Sequence, residues 1–143
     1  MDIRKIDDVI SVAPQIMPAD VAEAARLGFR TLVANRPNQE EPGQPAMADI
    51  EAAARENGMA WVYMPVASGN VTDADVDHFA EMIQESEKPV LAFCRTGTRC
   101  TVLWALSAAR DTPARDVLVK ASTAGYDMSS LAPRMAQQFK SPK

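Results

Sequence analysis

The sequence predicts a single three-layer α/β domain, in which helices flank a mostly parallel sheet of four to five strands. Its 143 residues are close to the size of one ordinary domain, and no internal repeat or linker divides them. Apolar residues make up 47% of the chain and charged residues 24%, which is typical of a globular protein. Short β-branched runs alternate with longer segments of helical periodicity, as in parallel sheets that are covered by helices. We therefore expect one domain over residues 1–143.

Four short apolar runs predict the strands. The run at residues 90–93 is the most continuous, as expected for a strand that is buried on both faces. The run at residues 60–64 ends at Pro65, which cannot donate a hydrogen bond to a neighbouring strand. The other two predicted strands cover residues 9–12 and 31–34.

The segments between these runs predict helices. Thr72 is a good N-cap for a helix over residues 72–87, and Asp73 and Asp75 in its first turn favour the helix dipole. Residues 35–45 hold three prolines and one glycine and are predicted to be a loop. Further helices are predicted over residues 18–27, 46–57, 99–110, 113–124 and 130–139.

Charge and composition exclude several kinds of partner. The net charge of −4 gives no basic surface for nucleic acid, and no run of about 18 apolar residues could span a membrane. The first residues form no apolar segment, so we expect no signal peptide. Two cysteines without a secretory signal indicate free thiols in the reducing cytoplasm. One histidine is a thin basis for a metal site, so we expect no metal and no cofactor.

The chemistry is predicted to lie between the most buried strand and the helix after it. Ligands of open α/β sheets bind at the carboxyl ends of the strands, where Cys94 is expected. Gly97 permits a tight turn whose amides can form an anion nest, and such a nest would lower the pKa of a cysteine beneath it. Arg99 could fold back over the loop and hold an anionic substrate. The other predicted loop residues are Arg95, Thr96, Thr98 and Cys100.

A structural role for Cys94 is the main alternative. A lone cysteine at a strand end is most often a small buried hydrophobic residue. Here it begins a loop with two arginines, a glycine and two threonines, and burying so many donors without an anion would be costly. We therefore interpret the loop as functional.

This loop also resembles a known family. A cysteine, a glycine and a closing arginine between a strand and a helix resemble the active loops of cysteine-dependent phosphatases and rhodanese sulfurtransferases. Together with residues 35–45 and 64–66, the loop at 94–99 resembles the phosphatase-like domain of β-lactamase-hydrolase-like proteins. That family is also described as sulfur transferases, sometimes fused to persulfide dioxygenases or sulfide oxidoreductases. The resemblance covers residues 9–139 and implies a dual-specificity-phosphatase-like fold, Cys94 as the nucleophile, and an oxidoreductase or persulfide dioxygenase as a candidate partner.

Three features favour a sulfurtransferase within this resemblance. Four residues separate Cys94 from Arg99, as in rhodanese loops, whereas cysteine phosphatases place five there. Phe93 stands where phosphatases of this fold carry a histidine. Residues 67–70 contain no carboxylate where dual-specificity phosphatases have an acidic residue. We therefore expect a rhodanese-like enzyme that moves sulfane sulfur from thiosulfate or a persulfide, through a Cys94 persulfide, to a thiol or cyanide.

Two alternatives remain open at this point. A phosphatase would act through a Cys94 phosphocysteine and would need an acid for the leaving group. Asp73 or Asp75 could supply that acid if the preceding loop folded over the site, although both are more simply helix-capping carboxylates. A catalytically weak module would bind a small anion in the same loop and turn nothing over.

Three further residues are predicted to lie near the site, and two of them have alternative interpretations. Cys100 is either a resolving thiol or a small buried substitute for serine, and Thr101 could supply a hydroxyl contact instead. Arg36 either steers anionic substrates toward the site or forms a salt bridge with Glu40 or Glu41.

Overall fold

A five-stranded sheet forms the centre of the fold. The computed structural model describes residues 1–138, and its strands are β1 (Arg4–Lys5), β2 (Ile10–Ala13), β3 (Thr31–Ala34), β4 (Ala60–Tyr63) and β5 (Val90–Phe93). Their order across the sheet is β1-β2-β5-β3-β4. The last four are parallel to one another, and only β1 is antiparallel to its neighbour. The prediction of a mostly parallel sheet of four to five strands is confirmed.

The register brings the carboxyl ends of four strands to one edge. Phe93 of β5 is level with Ala13 of β2 and with Ala34 of β3. The next residues stay attached to this edge, because the amide of Asn35 donates to the carbonyl of Phe93 at 2.9 Å and that of Cys94 to the carbonyl of Ala13 at 3.3 Å. The loops after these strands therefore meet at one place.

Helices cover both faces of the sheet. They are α1 (Val21–Arg26), α2 (Met47–Glu56), α3 (Asp73–Glu85), α4 (Thr98–Ala108), α5 (Ala114–Thr123) and α6 (Ala132–Gln138). Leu32, Leu91 and Phe93 pack on the face of α1 and α2, whereas Val33 and Val90 pack on the opposite face. These three layers match the predicted architecture. Among the described residues, no helix has the length and apolar character needed to cross a bilayer.

The helix α4 is central to the second face. It contacts α3, α5 and α6, and buries residues around its whole circumference, as expected for an interior helix. The neighbouring α3 begins as predicted, because Thr72 and Asp75 form a capping box. The helix α4 begins at Thr98, five residues after β5 ends at Phe93.

Several element boundaries differ from the predictions. The strand β1 was missed because Arg4 and Lys5 are both exposed and show no apolar alternation. The strand β2 is shifted by one residue to Ile10–Ala13, since pairing with β5 sets its ends. The segment predicted as one helix from residue 18 begins with a 3₁₀ turn, Pro18–Asp20. The predicted last residue of the final helix, 139, lies outside the described residues.

We expect Leu106→Ala to lower the free energy of unfolding by about 2–5 kcal/mol, because the fully buried Leu106 would leave a cavity in α4. Leu27→Ala is the matched control, since Leu27 is 52% exposed, and we expect a loss of about 1 kcal/mol or less. Urea denaturation of both variants measures the difference. Equal losses would contradict the central packing of α4.

Candidate active site

The loop after β5 forms a tight turn around the sulfur of Cys94. Gly97 precedes the first residue of α4 and has a φ of +89°, which side chains rarely adopt. A Cβ atom at this position would also lie 2.1 Å from the hydroxyl oxygen of Tyr126. The amide of Gly97 donates to Cys94 Sγ at 3.1 Å. The backbone conformation therefore favours glycine here, and a side chain would also have to displace Tyr126.

The environment of Cys94 lowers the pKa of its thiol to about 5. The largest contribution is a hydrogen bond that the Cys100 thiol donates to the Cys94 sulfur; burial opposes it, and the amides of Cys100, Thr96 and Gly97 add to it. Burial and the neighbouring Cys94 sulfur raise the pKa of Cys100 well above its ordinary value. Cys94 is therefore a thiolate at neutral pH, and Cys100 stays protonated as its donor.

Side-chain hydroxyls hold the loop in this conformation. Thr101 Oγ1 donates to the carbonyl of Gly97 at 2.8 Å, and the hydroxyl of Tyr126 donates to the carbonyl of Thr96 at 3.1 Å. Thr96 Oγ1 also accepts from the amide of Thr98 at 3.3 Å. Since these two carbonyls are engaged by hydroxyls, amides rather than carbonyls face the Cys94 sulfur. An anion nest of this kind is suited to oxyanions.

Arg99 is buried beside the loop, in the first turn of α4. Its Nη1 and Nη2 atoms lie 3.0 Å and 3.1 Å from the two carboxylate oxygens of Glu40, a bidentate pair. Nη1 also donates to the carbonyl of Val66 at 2.9 Å. Arg99 thus connects α4 with the loop after β3 and the segment after β4, and its guanidinium is fixed in one orientation.

Arg36 shares the carboxylate of Glu40. Its Nε donates to Glu40 at 2.8 Å, its Nη2 to Glu41 at 2.6 Å and its Nη1 to Gln15 at 3.0 Å. The side chain is only 2% exposed, so it is not a surface cation that could steer substrates. Of the two interpretations of Arg36, the salt bridge is the one found, and it involves both glutamates.

The two arginines lower the pKa of Glu40. The hydrogen bond from Arg99 is the largest cause; burial opposes it, and Arg36 adds to it. Glu40 is therefore ionised and neutralises part of the charge of two buried guanidinium groups.

A cavity of about 340 Å³ opens above the loop. Cys94, Arg95, Thr96, Thr98 and Arg99 line it from the loop side, whereas the predicted site residues Gly97, Cys100, Thr101 and Arg36 do not line it. Its other lining residues are Ser68, Gly69, Val71, Val102, Leu131 and Arg134. A larger cavity of about 500 Å³ between β4 and α3 contains none of the loop residues and is not part of this site.

The two candidate acids of the sequence analysis are engaged elsewhere. Asp75 exchanges hydrogen bonds with Thr72 at 3.0 Å and 3.1 Å in the capping box. Asp73 accepts from Arg134 at 2.9 Å. Neither is among the described residues that line the Cys94 cavity.

Sequence reasoning did not single out several residues of the site, among them Glu40, Tyr126, Leu131 and Arg134. Glu40 was considered only as a partner for Arg36, and Tyr126, Leu131 and Arg134 were not considered at all. They come from distant parts of the chain, and Arg134 and Asp73 are 61 residues apart. The charge of Arg134 within a short C-terminal helix is the only local signal that could have drawn attention to it.

Residues 2–111 match the family described as the phosphatase-like domain of beta-lactamase hydrolase-like protein. The chain belongs to this family. A beta-lactamase hydrolase-like protein of Agrobacterium fabrum is 36% identical over 111 residues, which cover 78% of this chain and 26% of the relative. A relative from Xylella fastidiosa is 36% identical over 107 residues, with 75% and 25% covered. The phosphatase-like domain thus spans about a quarter of the length of these curated relatives.

Solved structures share the fold. A Neisseria meningitidis protein, described provisionally as a phosphatase, superposes with a TM-score of 0.86 at 34% identity and covers 96% of this chain and 99% of its own. The core catalytic domain of the PP-IP phosphatase SIW14 from S. cerevisiae gives a TM-score of 0.72 at 12% identity, with 98% and 86% covered. The predicted resemblance and the cysteine-phosphatase-like fold are confirmed.

The expectation of a rhodanese-like sulfurtransferase is wrong. The family is phosphatase-like, and the neighbours are cysteine phosphatases or proteins described as such. The spacing between Cys94 and Arg99 was given too much weight. Although the loop is short, α4 begins at Thr98, so the first turn of the helix supplies the amide of Cys100 to the sulfur. The shorter spacing therefore does not remove the anion nest of the phosphatase-like domain.

We expect Cys100→Ala to raise the pKa of Cys94 above about 5, because it removes the largest stabilising hydrogen bond to the thiolate. Cys100→Ser keeps a donor and should leave the pKa close to that of the wild type. Ultraviolet absorbance of the thiolate, titrated against Cys94→Ser as the blank, measures both values. An unchanged midpoint in Cys100→Ala would mean that the amides alone stabilise the thiolate.

We expect Glu40→Gln to cost about 2 kcal/mol of unfolding free energy at neutral pH, because it removes the carboxylate partner of the buried Arg99 and leaves Arg36 with Glu41 alone. The difference in unfolding free energy between Glu40→Gln and the wild type should be smaller at acidic pH. The stabilisation by a carboxylate of lowered pKa is complete above its usual value of 4.5 and is lost as the pH falls through the lowered pKa.

Glu51→Gln is the control for this variant. Glu51 pairs with Arg55 on the exposed surface of α2, so we expect a loss below about 1 kcal/mol. Urea denaturation at neutral and acidic pH would give equal losses for the two variants if the contacts of Glu40 contributed no more than a surface pair.

Proposed function

We propose that this chain is a cysteine-dependent phosphatase that hydrolyses small anionic phosphoesters through a Cys94 phosphocysteine. The observation that carries the proposal is the Cys94 sulfur, ionised within a nest of amides at the start of α4 and beneath an open cavity. A thiolate is the nucleophilic form of cysteine, and the same nest is complementary to phosphoryl oxygens. Membership in a phosphatase-like family agrees with this assignment.

In the proposed reaction, the Cys94 thiolate attacks phosphorus, and the bond from phosphorus to the leaving oxygen breaks. The loop amides and Arg99 stabilise the charge on the other three phosphoryl oxygens. Glu40 holds the Arg99 guanidinium in one plane, so little reorganisation is needed when charge develops. Water then attacks the phosphocysteine, releases inorganic phosphate and restores the thiolate, to which the Cys100 thiol donates.

The proposal assigns no general acid. Asp75 caps α3 and Asp73 is paired with Arg134, so an acidic role for Asp73 would require that pair to break. Esters whose leaving groups are stable anions depend least on such an acid. Aryl phosphates are therefore the appropriate first substrates.

The finer identity of the substrates and partners stays a prediction. The fold neighbours support a small phosphate-bearing anion as the substrate class. The cytoplasmic location, the single domain over residues 1–143 and a persulfide dioxygenase or oxidoreductase partner also remain predictions.

We expect the purified chain to release nitrophenol from 4-nitrophenyl phosphate, and Cys94→Ser to lose at least about 10³-fold in kcat/KM. The rate should rise with pH through about 5, because the thiolate is the reacting form. Glu51→Gln, on the exposed surface of α2 and outside the cavity lining, is the matched active control.

Phosphate binding provides the second measurement. Cys94→Ser should still bind inorganic phosphate, since the amides of the nest remain. Binding by the wild type without any release of nitrophenol would contradict the enzyme and favour a module that only captures anions.

A further inference from the structure

The C-terminal part of the chain builds one wall of the Cys94 cavity. The family match ends at residue 111, yet Leu131 and Arg134 line the cavity, and Tyr126 donates to the loop carbonyl of Thr96. These residues belong to the segment that follows α5, and α6 packs against α4. Residues beyond the family match therefore form part of the surroundings of a bound substrate.

Arg134 places a positive charge in this wall. Its Nη2 donates to Asp73 Oδ1 at 2.9 Å, and the side chain of Arg134 is 32% exposed. The side chain of Asp73 is 77% exposed, so the carboxylate is well hydrated and can separate from the arginine at low cost. A ligand anion that enters the cavity can therefore compete with Asp73 for the guanidinium.

Three of the other residues that line the cavity are apolar. Val71, Val102 and Leu131 supply apolar surface on the same cavity. Its volume of about 340 Å³ lies near the lower end of the range for small-molecule sites, about 300–1,000 Å³. The cavity thus combines an anion nest, an apolar side and a second cation, and it suits a compact ligand with two anionic groups.

Arg95 and Arg99 also line the cavity, and Arg95 differs from Arg134 in its surroundings. Its side chain is 65% exposed, and its Nε lies 3.6 Å from Glu41, which belongs to the loop after β3. The side chain of Arg134 is half as exposed as that of Arg95, and Arg134 lines the cavity together with the apolar Leu131. An aryl leaving group of an ester bound at Cys94 gains free energy by packing on this apolar surface, which favours Arg134 over Arg95 as the partner of a second anionic group.

We propose that Arg134 binds a second anionic group on the leaving group of the substrate, so that the enzyme prefers small phosphomonoesters whose alcohol or phenol part is itself an anion. This proposal rests on the proposed phosphatase function. The overall reaction is the same hydrolysis: the ester and one water give inorganic phosphate and the anionic alcohol or phenol. Arg134 contributes binding to that second group and takes no part in bond cleavage.

The test compares 4-carboxyphenyl phosphate with 4-carbamoylphenyl phosphate, which has nearly the same shape but a neutral group in place of the carboxylate. The readout is the ratio of the two kcat/KM values, measured as inorganic phosphate released. We expect Arg134→Gln to lower this ratio about fivefold, mainly through the KM of the charged ester. Arg110→Gln is the matched control, because Arg110 also pairs with an α3 carboxylate, Asp77, but does not line the cavity.

We expect Asp73→Asn to raise the ratio of the two kcat/KM values, whereas Arg134→Gln lowers it. Removal of the competing carboxylate should lower the KM of the charged ester and raise the ratio. The double variant Asp73→Asn/Arg134→Gln should show the ratio of Arg134→Gln alone, because the proposed effect of Asp73 on the charged ester passes through its ion pair with the arginine. Thermal denaturation of each variant checks that the fold is retained.

The outcomes separate the two proposals. An unchanged ratio in Arg134→Gln, with Cys94-dependent phosphate release intact, would overturn the role of Arg134 and leave the phosphatase standing. A ratio that falls in Arg95→Gln but not in Arg134→Gln would also overturn it. If neither ester releases phosphate in a Cys94-dependent manner, the proposed function itself fails.

Discussion

The hydrogen bonds that converge on the Cys94 sulfur are the interaction on which the site depends. They form because β5 ends and α4 begins within a few residues, so that amides of the turn and of the first helical turn point at one atom. Gly97 makes this turn, and the hydroxyl of Tyr126 occupies the space that a side chain there would need. The parallel sheet provides the base, because its register fixes where β5 ends.

Glu40 balances the positive charge of Arg36 and Arg99, the two buried arginines near Cys94. Two arginines with little exposed surface would destabilise the fold without a counter-ion, and one carboxylate serves both. The same contact draws the proline-rich loop after β3 against the first turn of α4. Stability and the orientation of Arg99 thus depend on one side chain, whose ionisation also makes the arrangement sensitive to acid.

Sequence reasoning was most successful where the determinants are local. The strand at residues 90–93, the glycine turn, the helix after it and the nucleophilic character of Cys94 follow from adjacent residues. The choice of reaction was wrong: it relied on Phe93 in place of a histidine, on the lack of a carboxylate at residues 67–70 and on the count of residues between Cys94 and Arg99. That count does not reveal that the helix begins at Thr98 and contributes its own amides to the nest.

The sequence by itself determined the α/β architecture, the family resemblance and the position of the loop that begins at Cys94, because periodicity and turn chemistry are properties of short segments. Only the tertiary structure decided which charges meet: Glu40 with Arg99, 59 residues apart, and Asp73 with Arg134, 61 apart. Such pairs leave no local pattern, since packing of the helices on the sheet brings them together. The wall of the cavity, and with it the chemistry available to a substrate, is therefore a property of the folded chain.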